Sequence, residues 1–147
     1  MATNLKPTSN WYSVPAYQVE NPAVWKPIEA ILDRTCEEYR TNDVRRAVAI
    51  GEMELWVAAP SGPIEAVLLT EIARKKIGNV LTVLFCGGSN MNSWIDECWR
   101  LTDYAKQQNC VEVRFEGREG WKIIPGAEKV GVKWRVRLWA ADHPPAR

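Results

Sequence analysis

Residues 80–116 read VLTVLFCGGSNMNSWIDECWRLTDYAKQQNCVEVRFE, and this stretch decides the fold. The near-continuous apolar run at 80–86 predicts a strand that is buried on both faces. The strict alternation at 110–116 predicts a second strand. Between them, apolar residues recur at helical spacing from about residue 90 to residue 108. Because a strand, a crossover helix and a second strand form a right-handed unit, we expect the two strands to be parallel.

The sequence on either side predicts more strands and helices around this unit. Helical periods lie near 25–40 and at 42–50, and strand patterns lie at 53–59 and 64–73, followed by a polar loop at 74–79. After the loop at 117–120, a short helix is predicted at 121–130 and a last strand at 132–139. The fold class is therefore α/β (α+β mixed sheet), in the order α(α)-β-β-β-α-β-α-β with helices flanking the sheet.

The domain boundaries follow from where these patterns begin and end. Residues 1–21 show neither period and predict an extended N-terminal arm, while residues 22–142 form a single domain. Residues 143–147 contain Pro144 and Pro145 and predict a frayed tail.

Composition and charge restrict the function before any motif is considered. The chain has 147 residues, of which 46% are hydrophobic and 25% charged, as in one ordinary globular domain. Its 19 basic and 18 acidic residues leave a net charge of +1, which argues against a dedicated nucleic-acid or anionic-membrane binder. The one histidine, His143, argues against a metal site. No apolar run is long enough to span a membrane, and no secretory signal is recognisable.

The cysteines predict reduced thiols. Their spacing contains no pair typical of zinc ligands, so we expect buried, reduced side chains in a cytosolic protein. They are Cys36, Cys86, Cys98 and Cys110.

A glycine break between a buried strand and a long helix resembles the fold of the GCN5-related N-acetyltransferases (GNAT), over about residues 22–139. In that family the loop after the central strand binds the pyrophosphate of acetyl-CoA, since helix N-terminal amides suit phosphate. The resemblance implies acetyl-CoA or another acyl-CoA as cofactor, and the binding residues Phe85, Cys86, Gly87, Gly88, Ser89 and Asn90. The residues alone favour a tight strand-to-helix turn at Gly87-Gly88 that needs positive φ.

The match to the family motif is partial. Leu84 stands where the family has Arg or Gln, and no Lys or Arg lies between Asn79 and Arg100. A diphosphate would meet amides and hydroxyls there without a local positive charge.

The run GREGW at 117–121 is similar to small GNAT-like proteins of tailed bacteriophages. This resemblance implies the host cytoplasm or a phage virion as location, and a phage particle or a second copy of the chain as partner. Arg118 and Trp121 are the candidate contacts with an anion or partner. Alternatively, Arg118 hydrogen-bonds loop carbonyls and stacks on Trp121.

Acyl transfer to an amine requires a group that takes the amine's proton. Glu71, at the end of the second predicted strand, is the candidate base, and Glu116 is a second. Tyr104 and Tyr39 are candidate acids for the leaving thiolate. Each also has a plainer interpretation, as a solvent-facing strand end for Glu71 and as core-edge residues for the tyrosines.

Two functions therefore stay open, with a third weaker one. The first is an acyl-CoA-dependent N-acyltransferase with an unknown amine acceptor, and the second is a non-enzymatic virion or assembly protein on a degenerate GNAT-like fold. The third is a nucleic-acid module that uses Lys133, Arg135 and Arg137. This basic row pairs instead with the acidic row at 110–116 if the two strands are antiparallel.

Eight tryptophans against two phenylalanines are the compositional oddity of the chain. Trp25, Trp94 and Trp134 fall on predicted core faces. Three others fall outside those faces, and their exposure would mark a binding surface: Trp11, Trp56 and Trp139.

Overall fold

The structure is a computed structural model that describes residues 11–60, 62–89, 101–116, 128–130 and 133–138. Its helices are a 3-10 helix at Ala16–Glu20, α1 (Pro22–Thr35), α2 (Thr41–Ala49) and α3 (Leu101–Gln107). Its strands are β1 (Trp11–Val14), β2 (Glu54–Ala58), β3 (Ala66–Lys75), β4 (Gly78–Gly88), β5 (Cys110–Glu116), β6 (Glu128–Val130) and β7 (Lys133–Arg137).

All the described strands join one mixed sheet, in the order β1-β2-β3-β4-β5-β7-β6. β4 and β5 are parallel, and every other neighbouring pair is antiparallel. The parallel pair confirms the strand–helix–strand unit that residues 80–116 predict. The expected mixed sheet with helices on its faces is also confirmed.

Helices cover both faces of the sheet. α1 and α2 bury Trp25, Ile28 and Val44 against one face, where Leu55 and Leu69 point. α3 buries Leu101 and Ala105 against the other face, among Trp56, Leu68 and Phe115. Strand alternation therefore decides which side of the molecule each strand residue serves. None of the helices in the described ranges is both long and apolar enough to cross a membrane.

α1 begins at Pro22, three residues before Trp25, where the helical period in the sequence begins. The Asn21 side chain accepts a hydrogen bond from the Ala23 amide (3.0 Å) and caps the helix. Pro22 fits the first helical position, where its missing N–H costs nothing.

The structure corrects four local predictions. Part of the expected arm is β1, which pairs with β2. The expected loop at 74–79 is mostly strand, since β3 reaches Lys75 and β4 begins at Gly78. The helix expected at 121–130 is wrong at Glu128–Val130, which pair with β7 as β6. Gly87 and Gly88 do not break the strand but end it, opposite Val67 and Ala66.

Two tryptophans that we set apart as markers of a binding surface are core residues. Trp11 is 0% exposed and Trp56 is 1% exposed. Both pack on the α3 face, so they mark no binding surface. Trp25, predicted on a core face, is buried as expected, and Trp94, Trp134 and Trp139 lie outside the side chains that the structure describes.

Candidate functional site

β4 and β5 pair along only part of their length. The parallel ladder runs from Asn79 and Cys110 to Val83 and Phe115. β4 then continues through Gly88, paired with β3 alone among the described residues. β5 ends at Glu116, one residue after the last pair, so its ladder does not reach residues 84–88; the side of 84–88 that faces away from β3 is the candidate cofactor gap.

A β-bulge marks the point where the two strands part. Leu69 pairs with Phe85 and Thr70 pairs with Val83, which leaves Leu84 as the extra residue of β4. As a result, Leu84 and Phe85 both pack on the α1/α2 face although they are consecutive. A bulge takes the extra residue out of the regular ladder and re-aims the local backbone, and bulges are common beside active sites.

Close packing explains the glycines at the end of β4. A Cβ on Gly88 would lie 2.3 Å from the Glu65 carbonyl oxygen, and the residue has φ +141°. A Cβ on Gly87 would meet the Phe85 ring at 2.4 Å. The Ser89 amide donates to the Glu65 oxygen (2.8 Å). This hydrogen bond removes one of the amides that the sequence offered for phosphate.

A polar network crosses the sheet on the α3 face. The Trp56 indole N–H donates to Thr70 Oγ1 (3.0 Å), and the Thr70 hydroxyl donates to Glu54 Oε1 (2.9 Å). The Tyr104 ring meets Trp56 edge-on, with ring centroids 4.9 Å apart. Three elements distant in sequence thus converge on the Glu54 carboxyl group.

Burial changes the acidity of this cluster. Burial raises the pKa of Glu54 to about 7. The hydrogen bond from Thr70 lowers this pKa and the Glu71 charge raises it, and both effects are smaller than that of burial. Burial and the nearby Glu54 charge raise the pKa of Tyr104 to about 12 and that of Cys110 to about 11. Near neutral pH, Glu54 is therefore the group of the cluster that titrates.

Glu54 was missed in the sequence analysis. A weak signal was present, because Glu54 lies in the strand predicted at 53–59, two residues before Trp56, and so shares its face. Its burial depends on β3 and α3, which no local pattern connects to it.

A cavity of about 170 Å³ lies beside Glu54. Residues 13–16 after β1, Val48 and Gly51 at the end of α2, residues 53–56 of β2 and Tyr104 line it. Most of these side chains are apolar, and Glu54 is the charged one.

Register places the cluster and the strand gap at one level of the sheet. Glu54 pairs with Thr70, Thr70 with Val83, and Val83 with Phe115. Since neighbouring strands lie about 4.8 Å apart, the backbones of Glu54 and Val83 are roughly 10 Å apart. The gap lies beside β4, from Val83 toward Gly88, whereas the lining of the cavity runs along β2 from Met53 to Trp56.

The stability of the protein should fall as pH rises through 7, and Glu54→Gln should remove much of this fall. The folded-state pKa of Glu54 is raised from 4.5 to about 7, so the stability it contributes is complete below pH 4.5 and lost as pH passes 7. One pKa unit corresponds to about 1.4 kcal/mol. Solvent screens a partly exposed group, so we expect about 2 kcal/mol. Urea unfolding between pH 4.5 and 8.5 measures the free energy of unfolding of the unchanged protein and of Glu54→Gln. If the two free energies change in parallel with pH, the prediction is contradicted.

No family model and no curated protein matches the sequence, but solved structures match the fold. A GNAT-family N-acetyltransferase (YhbS) from Escherichia coli in complex with CoA superposes with a TM-score of 0.65 at 11% identity, covering 95% of this chain and 86% of that one. An aminoglycoside acetyltransferase from an uncultured soil metagenomic sample, in complex with sisomicin, gives 0.60 at 9% identity, covering 83% and 91%. Tetrahymena GCN5 gives 0.53 at 11% identity, covering 86% and 91%.

The chain has the GNAT fold. At such low identity the likeness shows the architecture alone, so activity has to be argued from this chain's own residues. The comparisons support no link to tailed bacteriophages, and that resemblance stays a prediction.

The two catalytic candidates Glu71 and Tyr104 lie on opposite faces of the sheet. Leu69 lies on the α1/α2 face and Ile72 on the α3 face, so alternation along β3 puts Glu71 on the α1/α2 face. Tyr104 packs on the α3 face, next to Trp56 and Glu54. The structure therefore does not bring Glu71 and Tyr104 together.

The remaining candidate site residues lie on different faces of the sheet or outside the described residues. Tyr39 is half-buried against the α1/α2 core, and the cofactor candidates Phe85 and Cys86 lie on opposite faces of β4. Asn90, Arg118, Trp121 and the side chain of Glu116 lie outside the described residues.

The basic row of β7 forms ion pairs, as the antiparallel arrangement predicts. Arg135 lies 3.7 Å from Glu112 of β5 and 2.8 Å from Glu128 of β6, and Arg137 lies 3.5 Å from Glu128. The hydrogen bond and charge of Arg135 lower the pKa of Glu128. Glu112 also pairs with Arg114. These carboxylates offset the positive charge that a nucleic-acid surface would need.

The three cysteines within the described ranges are free thiols, as expected. Cys86 and Cys110 are buried, whereas Cys36 is only partly buried, and Cys98 lies outside those ranges.

Proposed function

We propose that this protein is an acyl-CoA-dependent N-acyltransferase. The observation that carries the proposal is that β4 runs five residues past its last pair with β5, Val83–Phe115, with a bulge at Leu84. Within the described residues, 84–88 pair with β3, and we assign the backbone edge on their other side to an extended ligand. The GNAT fold and the neighbours described with CoA support the same assignment.

The residues at the gap fit an extended, mostly neutral ligand. The edge of β4 supplies backbone donors and acceptors for such a ligand. An acyl-CoA supplies an acyl group activated as a thioester. We assign polarisation of its carbonyl oxygen to backbone N–H groups at the Leu84 bulge, because fixed amide dipoles stabilise charge that develops on such an oxygen.

We assign the general base to Glu71. It is half-buried on the face to which Leu84 and Phe85 point, and it pairs in register with Thr82, next to the point of parting. Glu71 would take the proton of the acceptor ammonium, so that the free amine forms the new C–N bond while the C–S bond breaks. Tyr104 lies across the sheet, so we assign to water at the open end of the gap the transfer of the second proton from the attacking nitrogen to the departing thiolate.

Titration with acetyl-CoA tests the proposal. Because no Lys or Arg lies between Asn79 and Arg100, we expect saturable binding whose affinity changes less than about threefold between 50 and 300 mM NaCl. Calorimetry at both salt concentrations measures this, with free adenosine 3′,5′-bisphosphate as a control that lacks the pantetheine arm. A folded protein that gives no heat with millimolar acetyl-CoA would contradict the proposal.

The alternative, a virion or assembly protein on a degenerate GNAT fold, stays a proposal as well. It is favoured by Leu84 at the position where the family motif has a polar residue and by the missing local positive charge. It requires the protein in purified phage particles, which mass spectrometry detects. Consistent absence from such particles would contradict it.

A further inference from the structure

The cavity beside Glu54 is separate from the proposed acyl-CoA gap. Its lining runs along β2 from Met53 to Trp56 and includes residues 13–16 and Tyr104, whereas the gap lies beside β4, two strands further along the sheet. An inference about this cavity therefore does not depend on whether the protein transfers acyl groups.

Glu54 gives the cavity an uncompensated negative charge. Within the described part of the chain, no Lys or Arg pairs with it, and its hydrogen bond comes from the Thr70 hydroxyl. A carboxylate partly removed from water gains most from a cation. The lining residues from β1 and α2 bring no charge of their own.

The surroundings of Glu54 select an organic cation over a metal ion. Hard metal ions need several oxygen ligands, and the described residues contain no group of three His, Cys, Asp or Glu side chains that could hold one. Trp56 and Tyr104 line the cavity with aromatic rings, which attract ammonium groups and pack against alkyl chains.

The volume sets the size of the ligand. Since a water molecule takes about 30 Å³ of liquid, a cavity of about 170 Å³ accepts a ligand of roughly six non-hydrogen atoms. We propose that this cavity binds a small primary alkylammonium ion, with its ammonium group on Glu54 and its alkyl chain against Trp56 and Tyr104.

The proposal implies a pH dependence that can be worked out. The titratable groups near Glu54 are Tyr104 from α3, Cys110 from β5 and Glu71 from β3. Tyr104 and Cys110 have raised pKa values and stay neutral between pH 6 and 8. With a Glu54 pKa of about 7, its ionised fraction rises about tenfold across that range, so affinity should rise about tenfold as well.

Binding of n-butylammonium chloride to the full chain tests the proposal. We expect saturable binding at pH 8 with a dissociation constant in the millimolar range, followed by NMR shifts of the Trp56 indole signal. The neutral isostere 1-butanol should bind at least tenfold more weakly. Glu54→Gln, which keeps the shape and removes the charge, should also weaken n-butylammonium at least tenfold. Glu52→Gln, an exposed position outside the cavity, should leave it unchanged.

The outcomes decide the matter without reference to acyl transfer. The site is supported if n-butylammonium binds more weakly to Glu54→Gln but not to Glu52→Gln, and if its affinity for the unchanged protein falls from pH 8 to pH 6. Equal binding of 1-butanol and n-butylammonium, an unaffected Glu54→Gln variant, or no saturation up to 100 mM ligand overturns it.

Discussion

Glu71→Gln should lower the turnover of acetyl transfer by about 10²–10³-fold at pH 7, because general-base catalysis contributes an effect of this order. A glutamine of nearly the same shape keeps the β3 backbone in place but cannot accept the proton. The KM for acetyl-CoA should change little, since Glu71 lies beside the gap and not in its β4 edge. Chromatography of the acetylated products formed from a panel of primary amines measures the turnover.

The pH profile separates a base from a residue that only supports the fold. At high pH the acceptor amine loses its proton to water, so the deficit of Glu71→Gln should shrink as pH rises. Glu52→Gln, at an exposed position before β2, serves as the matched control and should keep full turnover. A Glu71→Gln enzyme with full turnover at every pH would show that another group takes the proton.

Gly88→Ala should destabilise the protein by about 3 kcal/mol or more, the range of strained and overpacked sites. A methyl group there would lie 2.3 Å from the Glu65 carbonyl oxygen and 2.6 Å from the Ala66 Cα. Both are backbone atoms, one directly before β3 and one in its first residue, and moving them aside would disturb the pairing of β3 with β4. A φ of +141° adds strain for any residue with a side chain.

Gly62→Ala is the matched control for this clash. Gly62 also has positive φ (+109°), but a Cβ there would meet nothing within 4 Å. It should show the conformational strain alone, about 1 kcal/mol. Urea unfolding of both variants measures the difference, and equal losses would show that β3 yields to the methyl group.

The central unit of the fold was predictable because its signals are local. The apolar run before Gly87 and the alternation at Cys110–Glu116 each fit one kind of strand, and the length between them requires a crossover. β1 and β6 were not predictable in this way. Four residues such as Trp11–Val14 carry too little alternation to predict a strand, and β6 has three. Their pairing depends on partners far along the chain.

The candidate site was predictable only in part. Glu71 was singled out as a strand-end carboxylate, and β3 places it near the parting of β4 and β5. Glu71 and Tyr104, the candidate base and the candidate acid, lie on opposite faces because of strand alternation and helix position, and that relation depends on the whole sheet. Glu54 was missed because its raised pKa arises from burial beneath a distant helix.

Hydrogen exchange tests most directly whether the gap beside β4 holds the acyl-CoA. Among the described residues, the strand pairing of 84–88 is with β3, whereas Asn79–Val83 lie between the ladders with β3 and β5. We expect saturating acetyl-CoA to slow amide exchange at 84–88 by tenfold or more while exchange at 79–83, already slow, stays unchanged. Saturable binding that leaves exchange at 84–88 as it was would place acetyl-CoA elsewhere and contradict the account.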